Sequence, residues 1–387
     1  MPAAPSSTTV AGLVTALVGF LSSFAVVLTG LRAVGATPAQ AASGLVVLSV
    51  AMGLATVLLA QRTRMPITVA WSTPGAALLA TASAPSWPVA VGAFVLVGAL
   101  VLLTAAWPRL GSAIAAIPPV LAQAMLAGVL VPLCLEPVRS ALEIPWLVLP
   151  VVAVWIALLR FSPRWAVPAA FAVTLGIIGW LSLREGGVPF GELVPSLEWT
   201  TPDLTSVAAI GLALPLFLVT MASQNVPGMA VLAAYGYRAP WRPAMAVTGA
   251  GTLLGAPFGG HAINLAAISA ALAAGPEADL DPGRRYLAAR TAGVAYVGFA
   301  LVSAAVAALV ATAPAGFVAA AAGLALWPVL ASSLSGALAR AEDRIPVVAT
   351  FLVAISGTTV AGIGSAFWSL VVGLVLWAWF RPSPVAA

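Results

Sequence analysis

Residues 256–275 read APFGGHAINLAAISAALAAG, a proline and two glycines, then the only histidine of the chain, then an alanine-rich run. Pro257, Gly259 and Gly260 disfavour helix, so a half-helix is expected to start near His261 or Ala262. A second stretch follows the same order. Residues 65–82 read MPITVAWSTPGAALLATA, where Ile67, Val69 and Trp71 alternate with Thr68 and Ala70. That alternation favours a short extended strand. Thr73-Pro74-Gly75 then marks a helix start, with Thr73 as N-cap and Pro74 at the first helical position. A kinked core helix is the plainer alternative for either stretch alone, because glycine and proline are frequent in membrane spans.

The rest of the chain turns these two stretches into a fold. Of 387 residues, 62% are apolar and only 7% charged, and the mean hydropathy is +1.09. Soluble domains carry roughly 25% charged residues, so most of this chain faces lipid or protein. A single cysteine, Cys134, excludes an intrachain disulfide and a thiolate cluster. One histidine without deep carboxylates excludes a metal centre, and no cofactor is expected. The isoelectric point is about 10.3, yet the basic residues are all arginines scattered in ones and twos, which argues against nucleic acid.

Apolar runs place spans at 10–31, 40–60, 86–107, 117–135, 144–160, 165–183, 204–222, 243–256, 285–310, 315–338, 345–358 and 360–380. The broken stretches 66–82 and 257–274 raise the count to fourteen. With the N-terminus inside, only Arg32, Arg139 and Arg184 of the sixteen arginines fall outside. That is a strong positive-inside bias. Dropping one broken stretch would invert half the chain and destroy it; dropping both would shift only the stretch between them and is disfavoured mainly by Arg109, Arg160, Arg164, Arg238 and Arg242. Both termini are then cytoplasmic. The eleven acids fall at span edges or in loops, so no carboxylate or arginine lies deep in the membrane.

The polar linker 184–203, REGGVPFGELVPSLEWTTPD, divides the chain into repeats at 1–183 and 204–387. Seven spans on each side give the halves opposite orientations, the arrangement of inverted-repeat carriers. The third span of each half is the broken one, although no residue-level identity between halves is apparent. The chain is therefore read as an all-α polytopic membrane protein with about fourteen segments in a seven-plus-seven inverted repeat. Segments 3 and 10 are each a short strand plus a half-helix. Irregular backbone at membrane depth is tolerated only where protein buries it or it lines a cavity. Two half-helix N-termini facing one another would form an anion site without lysine or arginine.

In residues 216–230, LFLVTMASQNVPGMA, the polar trio Ser223, Gln224 and Asn225 lies in the first span of the second half. Its counterpart is Ser22-Ser23 in the first span. The hydroxyls suit helix packing. The costly amides point to a site, with an end-of-helix cap as the alternative.

ASQNVPG at 222–228, followed about thirty residues later by GAPFGGHAINLAAISAA at 255–271, resembles the benzoate:proton symporter (BenE) family of bacterial inner-membrane proteins. The resemblance covers essentially the whole chain. It implies uptake of benzoate with a proton, and kinship with the fold of nucleobase and sulfate transporters. In that fold a core domain, here 1–110 and 204–310, moves against a gate domain, here 117–183 and 315–380. The linker would be periplasmic. Nucleobase carriers place membrane-embedded carboxylates near the substrate; this chain has amides and a histidine instead, and a carboxylate there would repel benzoate.

The resulting expectation is a carboxylate held near Thr73, Gly75, Gly259, Gly260 and His261. Asn264, Gln224 and Asn225 would be further donors, and Trp71, Phe258 and Phe20 ring contacts. His261 is the candidate proton carrier, because an imidazole titrates near neutral pH; a neutral ligand or a structural role is the alternative. A carrier for another organic anion or a nucleobase-like substrate, an anion channel, and an intramembrane serine protease pairing His261 with a serine such as Ser365 are the competing functions. The last has nothing placing its residues together, so the chain is read as not an enzyme. A homodimer is left open.

Overall fold

The computed structural model describes residues 6–82, 84–205, 207–267 and 269–380. Eight helical stretches among them are long and apolar enough to cross a bilayer, and two shorter apolar helices, Pro145–Phe161 and Ser365–Phe380, join them. In chain order, segment 1 is Thr8–Ala33, interrupted at Ser22-Ser23, and segment 2 is Pro38–Thr63. Segment 3 is the strand β1, Val69–Trp71, followed by a half-helix, Thr73–Thr81. Segments 4 to 7 are Trp87–Ala106, Pro119–Glu143, Pro145–Phe161 and Pro163–Arg184.

The second half repeats the order. Segment 8 runs through Val207–Thr220, one π-helical turn at Met221–Asn225, and Val226–Ala234. Segment 9 is Trp241–Gly255, and segment 10 is the strand β2, Ile263–Leu265, with a short helix at Ala270–Ala274. Segments 11 to 14 are Tyr286–Ala311, Phe317–Ala337, Arg344–Ile355 and Ser365–Phe380. A hairpin at Thr359–Val360 and Ile363–Gly364 joins the last two.

Both broken segments are strand followed by half-helix, as their residues predict, but their helices start elsewhere. Ser72, not Thr73, caps the first: its hydroxyl accepts the Gly75 N–H at 3.2 Å, and Pro74 follows in the first turn. The second helix begins at Ala270 rather than near His261. Gly259 N–H and Gly260 N–H donate to Ala256 O and Gly255 O, closing the end of segment 9. Residues 262–265 instead extend and pair with segment 3. The propensity of an alanine-rich run is weak against a strand partner supplied from two hundred residues away.

Packing is heaviest between segments 2 and 11, 5 and 12, 4 and 9, 1 and 11, and 13 with 14 and 5. Segments 1–4 and 8–11 thus gather into one group, and 5–7 and 12–14 into another. Thinner contacts cross the seam, such as segment 12 with segment 1 and segment 3 with segment 5. The linker is an ordered strap over one end of the first group. Trp87 Nε1 donates to Thr200 Oγ1, Thr200 N–H to Pro257 O, Asp203 N–H to Pro88 O and Glu198 N–H to Ser43 Oγ. The opposite end carries Arg62, Arg64, Arg238 and Arg242, and there the buried Arg285 donates to Ala274 O and Asp279 O.

Candidate functional site

The two strands meet antiparallel in the middle of the bundle, with Val69 opposite Leu265, Ala70 opposite Asn264 and Trp71 opposite Ile263. Three residue pairs satisfy only the facing edges. At membrane depth an unpaired N–H is costly, so the outward-facing groups need partners, and neighbouring helices supply them. Thr56 Oγ1 of segment 2 accepts the Val69 N–H at 2.9 Å, and Thr252 Oγ1 of segment 9 accepts the Ile263 N–H at 3.0 Å. Each hydroxyl donates to the carbonyl four residues earlier in its own helix. Segments 2 and 9 are equivalent in the two repeats, so this threonine pair is a residue-level trace of the repeat that inspection of the sequence does not reveal.

Replacing either threonine by valine keeps the shape and leaves a buried N–H unpaired, which costs about 1–3 kcal/mol. Thr56→Val and Thr252→Val are each expected to lower the melting temperature of the detergent-purified protein, and to a similar extent. A melting temperature unchanged in both would contradict the bracing role.

The π turn divides the polar trio of segment 8. Asn225 faces the strands and is fully buried; its Oδ1 accepts the Leu265 N–H at 2.9 Å and its Nδ2 reaches Met221 Sδ. Asn264, oriented with its amide nitrogen toward the carbonyls, donates to Ala70 O at 3.2 Å. Both amides brace the strands. Ser223 and Gln224 turn the other way, into a cavity of about 380 Å³. π turns of this kind recur at functional sites because they re-aim side chains.

Ser72 ties the crossing together. Its N–H donates to Ala262 O, its hydroxyl bonds Thr220 Oγ1 at 2.9 Å, and its carbonyl accepts from Ala76 N–H and from His261 Nε2 at 3.0 Å. A ring nitrogen facing a carbonyl must carry a proton, so Nε2–H is the donor. His261 is fully buried, its Nδ1 has no partner, and Phe94 packs edge-on with ring centroids 6.3 Å apart. It lies behind the strands and does not line the cavity.

The expected residues therefore separate. Trp71, Thr73, Gly75, Asn225, His261 and Asn264 gather at the crossing, with Gln224 alone of the group lining the cavity. Gly75 is buried against Ser72 and Leu216, and Thr73 is half-buried. Trp71 and Phe20 are closed on one another at 5.2 Å, with buried Phe24 and half-buried Phe299 completing an aromatic cluster. Trp71 Nε1 donates to Ser23 Oγ at the break of segment 1, so that serine positions an aromatic ring. Phe258, Gly259 and Gly260 stand apart at the strapped end, where Phe258 packs on Trp199 at 5.2 Å. The chain must re-enter from that end before reaching the strand, so these three are not beside the half-helix of segment 3.

Sequence reading missed Ser72, Thr220 and the far wall of the cavity. That wall comes from segments 5 and 12, with Gln123, Leu126, Val329, Ser332 and Ser333. No charged residue among those described lines the cavity. A smaller one, about 110 Å³, lies along the same seam toward the strapped end, between Leu78, Gly211, Leu212, Ala354 and Gly362.

Residues 3–378 match the family model of BenE, described as benzoate membrane transport protein. The chain is 39% identical over 373 residues to the inner membrane protein YdcO of Escherichia coli, covering 95% of this chain and 94% of that protein. It is 29% identical over 376 residues to the benzoate membrane transport protein of Acinetobacter baylyi, again over 95% and 94%. Among solved structures it resembles the transmembrane domain of the cyanobacterial bicarbonate transporter BicA, with a TM-score of 0.57, 14% identity, and 94% and 97% of the two chains covered. SLC26A9 matches with a TM-score of 0.65 and 12% identity over 96% of this chain and 65% of that one. Both carry the seven-plus-seven inverted-repeat fold, which is the fold of this chain.

Proposed function

The chain belongs to the BenE family of benzoate membrane transport proteins, and on that basis we propose that this multi-pass transporter imports benzoate with a proton. The observation that carries the reading is the charge-free cavity on the seam between the two packing groups, floored by the buried, unpaired Ser223 hydroxyl and by Gln224. Its volume falls within the ~300–1,000 Å³ range of small-molecule sites. Its apolar walls suit a ring, and its neutral donors suit a carboxylate, which accepts hydrogen bonds only.

The same lack of charge argues for the proton. Moving a bare carboxylate into hydrocarbon costs on the order of tens of kcal/mol by Born solvation, and no cation among the described residues lining the cavity offsets it. Carrying a proton alongside makes the translocated load neutral. His261 Nδ1 is the titratable position beside the crossing, and through Ser72 it is joined to the cap of the segment 3 half-helix. Thr73 and Gly75 begin that half-helix, and because the Gly75 N–H is already held by Ser72 Oγ they act by positioning the crossing rather than as free donors. Segments 1–4 and 8–11 act as the moving core, and 5–7 and 12–14 as the gate. The termini and the arginine-rich end are cytoplasmic, the strap is periplasmic, and the membrane is the bacterial inner membrane.

Calorimetry on the purified protein with benzoate, uracil and bicarbonate tests the substrate. Saturable binding of benzoate alone is expected. Binding of uracil or bicarbonate without benzoate would transfer the site to a nucleobase-like or inorganic substrate, and non-saturating flux in liposomes would favour a channel.

A further inference from the structure

The far wall of the cavity carries a group that neither the crossing nor the π turn accounts for. Gln123 projects from segment 5 across the cavity wall to segment 12, where it lies directly over Gly336. A β-carbon at position 336 would sit 1.8 Å from Gln123 Oε1. Segment 12 thus leaves a side chain's worth of room for this amide alone. Half-buried amides in membrane proteins are normally held by a helix neighbour. Gln123 and Gln224 have no hydrogen-bond partner among the described residues, and the Ser223 hydroxyl is buried without one. Two neutral amides, one from each packing group, therefore face one cavity, with the buried Ser223 hydroxyl just beneath its floor, and the remaining walls include Ile114, Ile117, Leu126 and Val329.

We propose that Gln123 is a substrate-contacting residue, which with Ser223 and Gln224 binds the carboxylate of the aromatic acid between the two groups. The assignment rests on the transport reading above and adds to it a ligand from the gate side. A carboxylate has room for about four acceptor contacts, so donors from two directions can be used together. Because the donors come from both sides of the seam, the bound anion itself links them. Gly336 is a positioning residue: it lets the Gln123 side chain lie flat against segment 12.

Calorimetry with benzoate and with cyclohexanecarboxylate, which keeps the carboxylate and loses the aromatic ring, tests this. Gln123→Ala is expected to weaken both acids about tenfold, the loss of one hydrogen bond to a charged group. Gln123→Glu, similar in shape but an acceptor, is expected to abolish binding while the melting temperature stays near that of the unsubstituted protein. Gly336→Ala, which drives a methyl group at the amide, is expected to weaken binding by itself and to add nothing to Gln123→Ala, because coupled sites are not additive. Benzoate binding unchanged in both Gln123 variants overturns the assignment, as do fully additive losses in the double variant. If the unsubstituted protein binds neither acid, the substrate reading itself fails and the assignment with it.

Discussion

Gly211→Val is expected to abolish transport without unfolding the protein. Gly211 lies in segment 8 where the hairpin between segments 13 and 14 presses on it, and a β-carbon there would stand 2.0 Å from Gly362 O. This contact lies along the small cleft toward the strapped end, while the larger cavity lies on the seam toward the arginine-rich end. The seam is therefore tighter toward the strapped end, the periplasmic side of the proposed orientation, and roomier toward the arginine-rich end. A valine cannot fit against backbone, so the hairpin must lift. Overpacking of this kind costs about 1–3 kcal/mol, which shifts a two-state equilibrium by about 5- to 150-fold. The check is thiol labelling from the cytoplasmic side, with Cys134 replaced by serine and Ser332→Cys as the reporter, since Ser332 is exposed at the cavity. Labelling should fall about tenfold when Gly211→Val is added. Unchanged labelling would mean that the hairpin contact does not close the seam.

His261→Gln is expected to separate coupling from movement. A glutamine amide can still donate to the Ser72 carbonyl, so the cap of segment 3 keeps its partner, but no group remains to take up a proton at Nδ1. One pH unit across the membrane is worth about 1.4 kcal/mol, enough for about tenfold accumulation at one proton per substrate. With acid outside, the native protein should protonate there and carry benzoate inward against its gradient. The variant should accumulate none yet retain counterflow exchange of labelled for unlabelled benzoate. Accumulation that survives the substitution removes His261 from the proton pathway and leaves it the neutral, cap-holding role.

The two broken segments were legible because proline, glycine and strand-like alternation interrupt otherwise uniform apolar runs, and the arginines then required both. What stayed hidden depended on partners far away in sequence. The start of the segment 10 helix was misplaced because Ala262 and its neighbours favour helix locally, whereas Ser72 and Val69 draw them into a strand. Asn225 and Gln224 are adjacent and equally polar, and only the π turn sends one to the strands and the other to the cavity. Thr56 and Thr252 look like any threonine in a membrane helix until their N–H partners are seen. Gln123 carries one signal, as the only amide in the apolar run 117–135, but its partner surface on segment 12, the glycine beneath it, lies more than two hundred residues away and shows only in the fold.

The central claim is coupled, electroneutral import of an aromatic carboxylate. Its most direct test is uptake of labelled benzoate into proteoliposomes under an imposed pH gradient, acid outside, with and without a membrane potential set by potassium and valinomycin. Saturable accumulation that follows the pH gradient and is indifferent to the potential is the predicted result. Uptake that tracks the potential and ignores the pH gradient would contradict it.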